Sequence, residues 1–501
     1  MNRKIGVVLS YVAMVFEVLS TLLLTPFIIR TLGQAEFGVY KLSSAITAYL
    51  LLLDLGVGNA IIRYIAKYRA ECNRQKEQQF FGIATIFYGA IGLVALGIGL
   101  VLIKVFPRFF AMGLSGEEII LGQKLLFVTM LNCSFTLATA CSINILIAYE
   151  KFSISKGISI IQVVLRMIFT YLALKMGFGS LGIVTVQLLL TVVFRLLMMG
   201  YVFGKLHLYP VFKNIDTGFV KEIVAYSALI LLQMIATQLN SSVDQILLGR
   251  LVSSSAVIIG IYGIGTQVVQ YYQSIGSAFT GVLMPGIVRM VEGHASASVI
   301  TDEMVRIGRI VFMVLGLIWV CFLVCGRNFI CLWAGYNNES AYYVVILLMF
   351  AYMFILAESV GSQVLWAMNE HKEQAYLKFA IVLLNIVLTV FLIQWNPLIG
   401  ATIGTFISLF LGDVGVMNLI FYKKLHINLG YYYKNLLKGI APCMLVTAVV
   451  GYMVSSMAWN SWAGFVGKVV IMIFVYGIGM ILFGMNEYEK NLMRSVMKVK
   501  R

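Results

Sequence analysis

Several charged side chains sit inside runs of apolar residues long enough to cross a bilayer, among them Glu17, Asp54, Arg166, Arg195, Asp244, Glu358 and Asp413. A charge at that depth costs about 2.5–3.5 kcal/mol on insertion scales, so each is expected to face a bundle interior or a wet cavity rather than lipid. Arginine keeps its proton, and its planar fork matches phosphate oxygens two at a time; this is the chemistry that Arg166 and Arg195 offer. The competing reading is structural, with each arginine neutralising Glu17 or Asp54 and tying helices together. Glu358 and Asp413 also carry two readings: a site that loads and releases a proton or sodium ion, or a salt bridge that latches one conformation. Gln233, Thr237, Ser241 and Asp244 recur at a spacing that puts all four on one helix face, with Asn240 adjacent. Such a polar face either lines a cavity, where Asp244 could coordinate a coupling cation, or bonds to neighbouring helices.

The elements that must hold these residues are about fourteen apolar runs, each near the roughly 20 residues a bilayer crossing needs. They start near residues 5, 39, 80, 120, 153, 180, 221, 256, 307, 342, 374, 398, 436 and 463. No barrel-like alternation is present and backbone groups in lipid must be satisfied internally, so the runs are expected to be helices of an all-α integral membrane protein. Composition agrees: 61% of residues are hydrophobic and 12% charged, with a mean hydropathy of +0.94, whereas soluble domains carry about 25% charged residues.

The net charge of +16 reads as topology rather than as the footprint of a nucleic acid. With a cytoplasmic N-terminus, about 26 cations fall inside and about 9 outside, so both termini are expected in the cytoplasm. Arg63, at the inner end of the second run, either meets incoming headgroups or only fixes topology. The first run follows Met1 to Lys4 without an Ala-x-Ala-like cleavage site and is expected to be a retained helix. The seven cysteines show no metal-site or disulfide spacing, and no P-loop, GxSxG or HExxH motif occurs. Neither a cofactor nor an enzymatic or ATP-driven reaction is expected.

Twelve of the runs fall into two sets of six, with short stretches recurring about 220 residues apart. Phe37-Gly38-Val39-Tyr40 returns as Ile259-Gly260-Ile261-Tyr262, and Lys205-Leu206-His207 as Lys424-Leu425-His426. An even number of spans separates the copies, so two parallel six-helix repeats are expected to form two lobes, with two extra C-terminal helices. The expected division is 1–217, 218–430 and 431–501, and the connecting segment 205–220, which holds Pro210, is the expected hinge. Arg195 and Asp413 fall at equivalent positions with opposite charge. Arg30 and Arg250 are equivalent too, each ending the first helix of its lobe; they either receive an anion at the outer mouth or snorkel to headgroups.

Three stretches carry a family resemblance: Thr25 to Gly33, Glu36 to Tyr40, and Asp54 to Tyr64 with its Asp-Leu-Gly-Val-Gly-Asn-Ala core. The chain resembles the polysaccharide transporters of the Wzx type, oligosaccharide-lipid flippases of the superfamily that includes MATE exporters and MurJ. The resemblance implies two lobes alternating access to move an undecaprenyl-diphosphate-linked oligosaccharide from the cytoplasmic to the outer leaflet of a bacterial cytoplasmic membrane. Under it, Arg166, Arg195, Arg30, Arg250 and Arg63 become candidates for the diphosphate. The stripe on the seventh helix, with Asp54, Glu17, Glu358 and Asp413, becomes a candidate for sugar contact or coupling to sodium or protons. Expected partners are the lipid-linked oligosaccharide, membrane lipids, a polysaccharide polymerase and other assembly proteins. A MATE-like drug exporter is the alternative; a polymerase fits less well because every outer loop is short, and a lipid scramblase stays open.

Overall fold

The computed structural model describes residues 3–54, 56–212, 234–240, 242–281, 284–368, 370, 372–455 and 461–498, and these are helical with no strand among them. They divide into two compact units, Met1–Gly260 and Ile261–Arg501. Gln233 and Ser241 of the polar stripe, and residues 213–220 of the connecting segment, lie outside the described residues.

The first unit contains α1 (Arg3–Leu50), α2 (Val57–Ala70), α3 (Arg74–Phe109), α4 (Gly116–Ala138), α5 (Ala140–Ala148), α6 (Phe152–Lys175), α7 (Gly179–Gly204), α8 (described over 234–240 and 242–251) and the first turn of α9 (Ala256–Gly281). The second continues α9 and adds α10 (Met284–Glu292), α11 (Ala297–Ala334), α12 (Ala341–Ala357), α13 (Ser359–Ala367), α14 (Lys372–Leu392), α15 (Pro397–Leu409), α16 (Met417–Leu425), α17 (Leu429–Leu437), α18 (Ile440–Ser455), α19 (Trp462–Gly479) and α20 (Glu487–Lys498). Polar caps mark where helices start. Ser115 and Glu118 close a reciprocal capping box on α4, while Asn73 and Asn396 accept from the first turns of α3 and α15. These bonds satisfy amide groups that the helix itself leaves free.

Ten helical stretches among the described residues are long and apolar enough to span a membrane, or eleven if the bent pair α12 and α13 counts as one. The expected count of fourteen is therefore not reproduced by these residues. One reason is visible at the start: Val12–Ala70 is a single 59-residue stretch, about 90 Å of helix and enough for two crossings. It turns at Gly33, whose φ of 76° is open to glycine at little cost, and again at the short 3-10 turn Leu51–Asp54. The start of the run expected near residue 221 lies outside the described residues, which take it up again at 234.

Breaks recur at similar places in the two units. α4 and α5 meet at Thr139, and α12 and α13 meet at Glu358 with a 45° bend. His207 and His426 both take the left-handed conformation, at φ 48° and 52°, and the next residues, Leu208 and Ile427, are fully buried. At one end of the first unit, α1 and the first turn of α9 touch backbone to backbone. A Cβ on Gly38 would lie 1.8 Å from the Ala256 carbonyl oxygen, and one on Gly260 would lie 2.6 Å from that of Gln34. The two glycines are the ones that the sequence repeat pairs.

The connecting segment is fastened at its beginning. Arg74 donates to the carbonyls of Leu206 and His207 at 2.6 and 2.8 Å, and also to Tyr149 and the buried Glu77. Tyr149 bonds Glu77 in turn and lies under the Arg69 guanidinium. Val211 donates to the Gln78 carbonyl at 3.1 Å, and Leu208 packs into the core formed by α2, α3, α5 and α7. Residues 205–212 are thus a strap fastened to the first unit by a guanidinium far away in sequence, while the rest of the expected hinge, 213–220, lies outside the described residues.

Candidate functional site

Three helices of the first unit turn a polar face to a common space. Glu17, Thr21 and Thr25 follow one another at four-residue spacing on α1, as do Gln162, Arg166 and Thr170 on α6 and Gln187, Thr191 and Arg195 on α7. Four-residue spacing keeps side chains on one helix face. The hydroxyls of Thr21, Thr25 and Thr191 bond back to the carbonyl four residues earlier, which satisfies them without a partner helix. α4 closes the space with Thr129 and Asn132.

The space has two chambers. One, of about 310 Å³, is lined by Glu17, Arg166 and Thr170; the other, of about 320 Å³, by Asn132, Gln162 and Arg195. Tyr40, Ser44 and Gln187 line both and so connect them. Arg166 donates from Nη2 to Glu17 Oε1 at 2.5 Å, and both side chains are partly exposed, at 33% and 49%. Arg195 is different. Its buried Nη1 has no hydrogen-bond partner, and neither do Asn132 Oδ1 or Thr170 Oγ1. Asp54 lies within electrostatic reach of Arg195 but accepts instead from the Tyr88 hydroxyl at 2.7 Å. The arrangement leaves a cationic donor and an amide oxygen in the walls of one chamber, and a hydroxyl in those of the other, with unused bonding capacity, an unfavourable state for buried polar groups unless something else meets them.

The remaining sequence candidates fall elsewhere. Arg30 and Arg63 are exposed, the latter beside its neighbour Tyr64, and neither lines the two chambers. Arg250 donates to the Phe109 carbonyl at 2.9 Å with its guanidinium 4.3 Å over the Phe109 ring, an anchor that works as a cation–π contact and a cap at once. On α8, Asp244 is buried whereas Thr237 is exposed.

In the second unit, Glu358 occupies the break between α12 and α13 and is buried. It accepts from the Tyr433 hydroxyl and from Asn418 Nδ2, the latter at 3.1 Å, and no described cation forms an ion pair with it. Asp413 lies in a π-helical turn, Phe410–Val416, and pairs with Lys378 at 2.7 Å. Bulges of this kind often mark functional positions in helices.

Sequence reasoning picked out the two cavity arginines but passed over Tyr40, Asn132, Gln162, Thr170 and Gln187. The signal for three of them was there, in the four-residue spacing of polar residues around each arginine. It also passed over Arg309, which is 4% exposed in the second unit and donates to Glu489 and to the Asn435, Lys438 and Gly484 carbonyls.

The fold is that of membrane transporters. The chain is similar to a solved structure described as lipid II flippase MurJ in an inward closed conformation, with 15% identity, a TM-score of 0.76 and coverage of 98% of this chain and 99% of that one. It is also similar to an inward-facing multidrug resistance MATE family transporter of the MOP superfamily (15% identity, TM-score 0.60, 81% of this chain and 96% of that one). A third likeness is to a MOP superfamily transporter from Pyrococcus furiosus described as having a binding pocket of reverse polarity (15%, TM-score 0.51, 84% and 94%). The family model for polysaccharide biosynthesis proteins matches residues 5–291. The chain belongs to that family. A sequence comparison with curated proteins finds no match.

Proposed function

We propose that this protein is a flippase that carries an undecaprenyl-diphosphate-linked oligosaccharide from the cytoplasmic to the outer leaflet of a bacterial cytoplasmic membrane, by ion-coupled alternating access with both termini in the cytoplasm. The carrying observation is the two-chambered polar cavity with Arg195 holding an unused donor beside Arg166. A diphosphate buried from water needs charge-assisted donors, and the guanidinium fork supplies them in pairs. Family membership and the transporter fold support the same reading. The oligosaccharide is passed to a polymerase and other assembly proteins of the outer face.

The test is reconstitution into proteoliposomes with a fluorescent polyprenyl-diphosphate oligosaccharide, a sodium or proton gradient, and an impermeant quencher. Gradient-dependent exposure of the label supports the flippase; immobile label with transport of a cationic dye replaces it by a drug antiporter. For coupling, Glu358 is the proposed ion-responsive group, because it is a buried acid bonded only to neutral donors. Glu358→Gln keeps the size and both hydrogen-bonding neighbours but holds one charge state. It is expected to leave exchange of the labelled lipid intact while removing acceleration by a proton gradient, as read by comparing rates with and without the gradient.

A further inference from the structure

We infer that Glu17 is a built-in competitor of the substrate, occupying Arg166 until a diphosphate displaces it and returning to expel the diphosphate on release. The inference rests on the flippase reading and gives Glu17 a role within it. Four observations carry it.

The first is geometry. A single N–O contact at 2.5 Å joins Arg166 Nη2 to Glu17 Oε1, so the carboxylate engages one donor of a fork that can bind two oxygens at once. The second is exposure. Both partners open into the cavity, and ion pairs in such settings are weak enough to be exchanged. The third is that the pair is not needed to dock its helices: α1 and α6 also meet through Phe27 and Tyr171, whose ring centroids are 4.7 Å apart. The fourth is Thr170, one turn beyond Arg166 on the same wall. It is 1% exposed, and its hydroxyl has no partner.

A ligand with several anionic oxygens would satisfy the fork and the Thr170 hydroxyl together, which one carboxylate oxygen does not. A diphosphate therefore wins when present. Glu17 limits how firmly it is held, since each departing phosphate oxygen is replaced at once by a carboxylate oxygen. Without that carboxylate the diphosphate should bind more tightly and leave more slowly.

The experiment measures binding of farnesyl diphosphate to the purified full chain in nanodiscs, together with translocation of the labelled oligosaccharide lipid. Glu17→Gln is expected to bind the probe roughly fivefold tighter, the factor that about 1 kcal/mol represents, with both KM and kcat for translocation lowered. Glu17→Asp, too short to keep the contact, should move both readouts the same way and serves if the first variant does not fold. Unchanged or weaker binding by a folded variant overturns the role of Glu17 while leaving the flippase standing. Absence of diphosphate binding by the native chain and the variants alike overturns both.

Discussion

Arg195→Ala is expected to cut translocation of a diphosphate-linked oligosaccharide by roughly ten- to hundredfold, the worth of a charge-assisted hydrogen bond of about 1.5–3 kcal/mol, without loss of folded protein. The two halves of that expectation have one cause. The Arg195 Nη1 is buried and bonds to nothing in the protein, so deleting it breaks no internal bond and removes an unsatisfied donor; stability should hold or rise slightly. The same donor is what the proposed substrate would use. Arg166→Ala behaves differently, because it strands Glu17 in the cavity as an uncompensated anion that repels phosphate. Adding Glu17→Gln to Arg166→Ala should therefore recover part of the lost rate, while adding it to Arg195→Ala should not. Rates come from the quencher assay in proteoliposomes, and folded yield from size-exclusion chromatography. Full activity in a well-folded Arg195→Ala protein would remove this residue from the transport path.

Arg309→Ala is expected to cost about 3–5 kcal/mol of stability, the range for breaking a buried ion pair from one side. Arg309 and Glu489 are each 4% exposed and meet at 2.6 Å. The guanidinium also caps the Asn435 and Lys438 carbonyls at the end of α17 and the Gly484 carbonyl ahead of α20. Replacing a simple buried pair by apolar residues is often harmless. Here it should not be: Arg309→Met with Glu489→Leu removes the charges together but leaves three carbonyls without a donor, each loss worth about 1–3 kcal/mol. Thermal unfolding of the purified protein distinguishes the outcomes, a double variant as stable as the native chain being the one that contradicts the capping role. The network also shows that the C-terminal helices, which looked like an appendage in the sequence, share buried bonds with α11 and α17.

Much of the architecture was legible. Runs expected to start near 153, 180, 256, 342, 374, 398 and 463 begin, as helices, within two residues of those positions, because hydrophobic length is a direct consequence of bilayer thickness. α3 and α11 start earlier than expected, at Arg74 and Ala297, because their first turns are polar and still helical. Apolar runs cannot report that. The breaks at Thr139 and Glu358 were hidden for another reason: neither position is a proline or a glycine.

For the site, the cost of intramembrane charge was enough to single out Arg166 and Arg195. It could not say which was already partnered, since Glu17 and Arg166 are 149 positions apart in the chain. The strap at 205–212 illustrates the same limit. Pro210 was visible and suggested bending, whereas the bonds that fasten the segment come from Arg74, 132 positions from Leu206.

That fastened segment bears on how the chain can be divided in the laboratory. Two fragments co-expressed from separate genes would need each piece to carry the residues that cover its own buried surface. A cut at Lys205, where α7 ends, would strip Leu208 from the first piece and leave the Arg74 guanidinium without the two carbonyls it binds. A cut placed after Phe212 keeps that seal with the fragment to which it belongs.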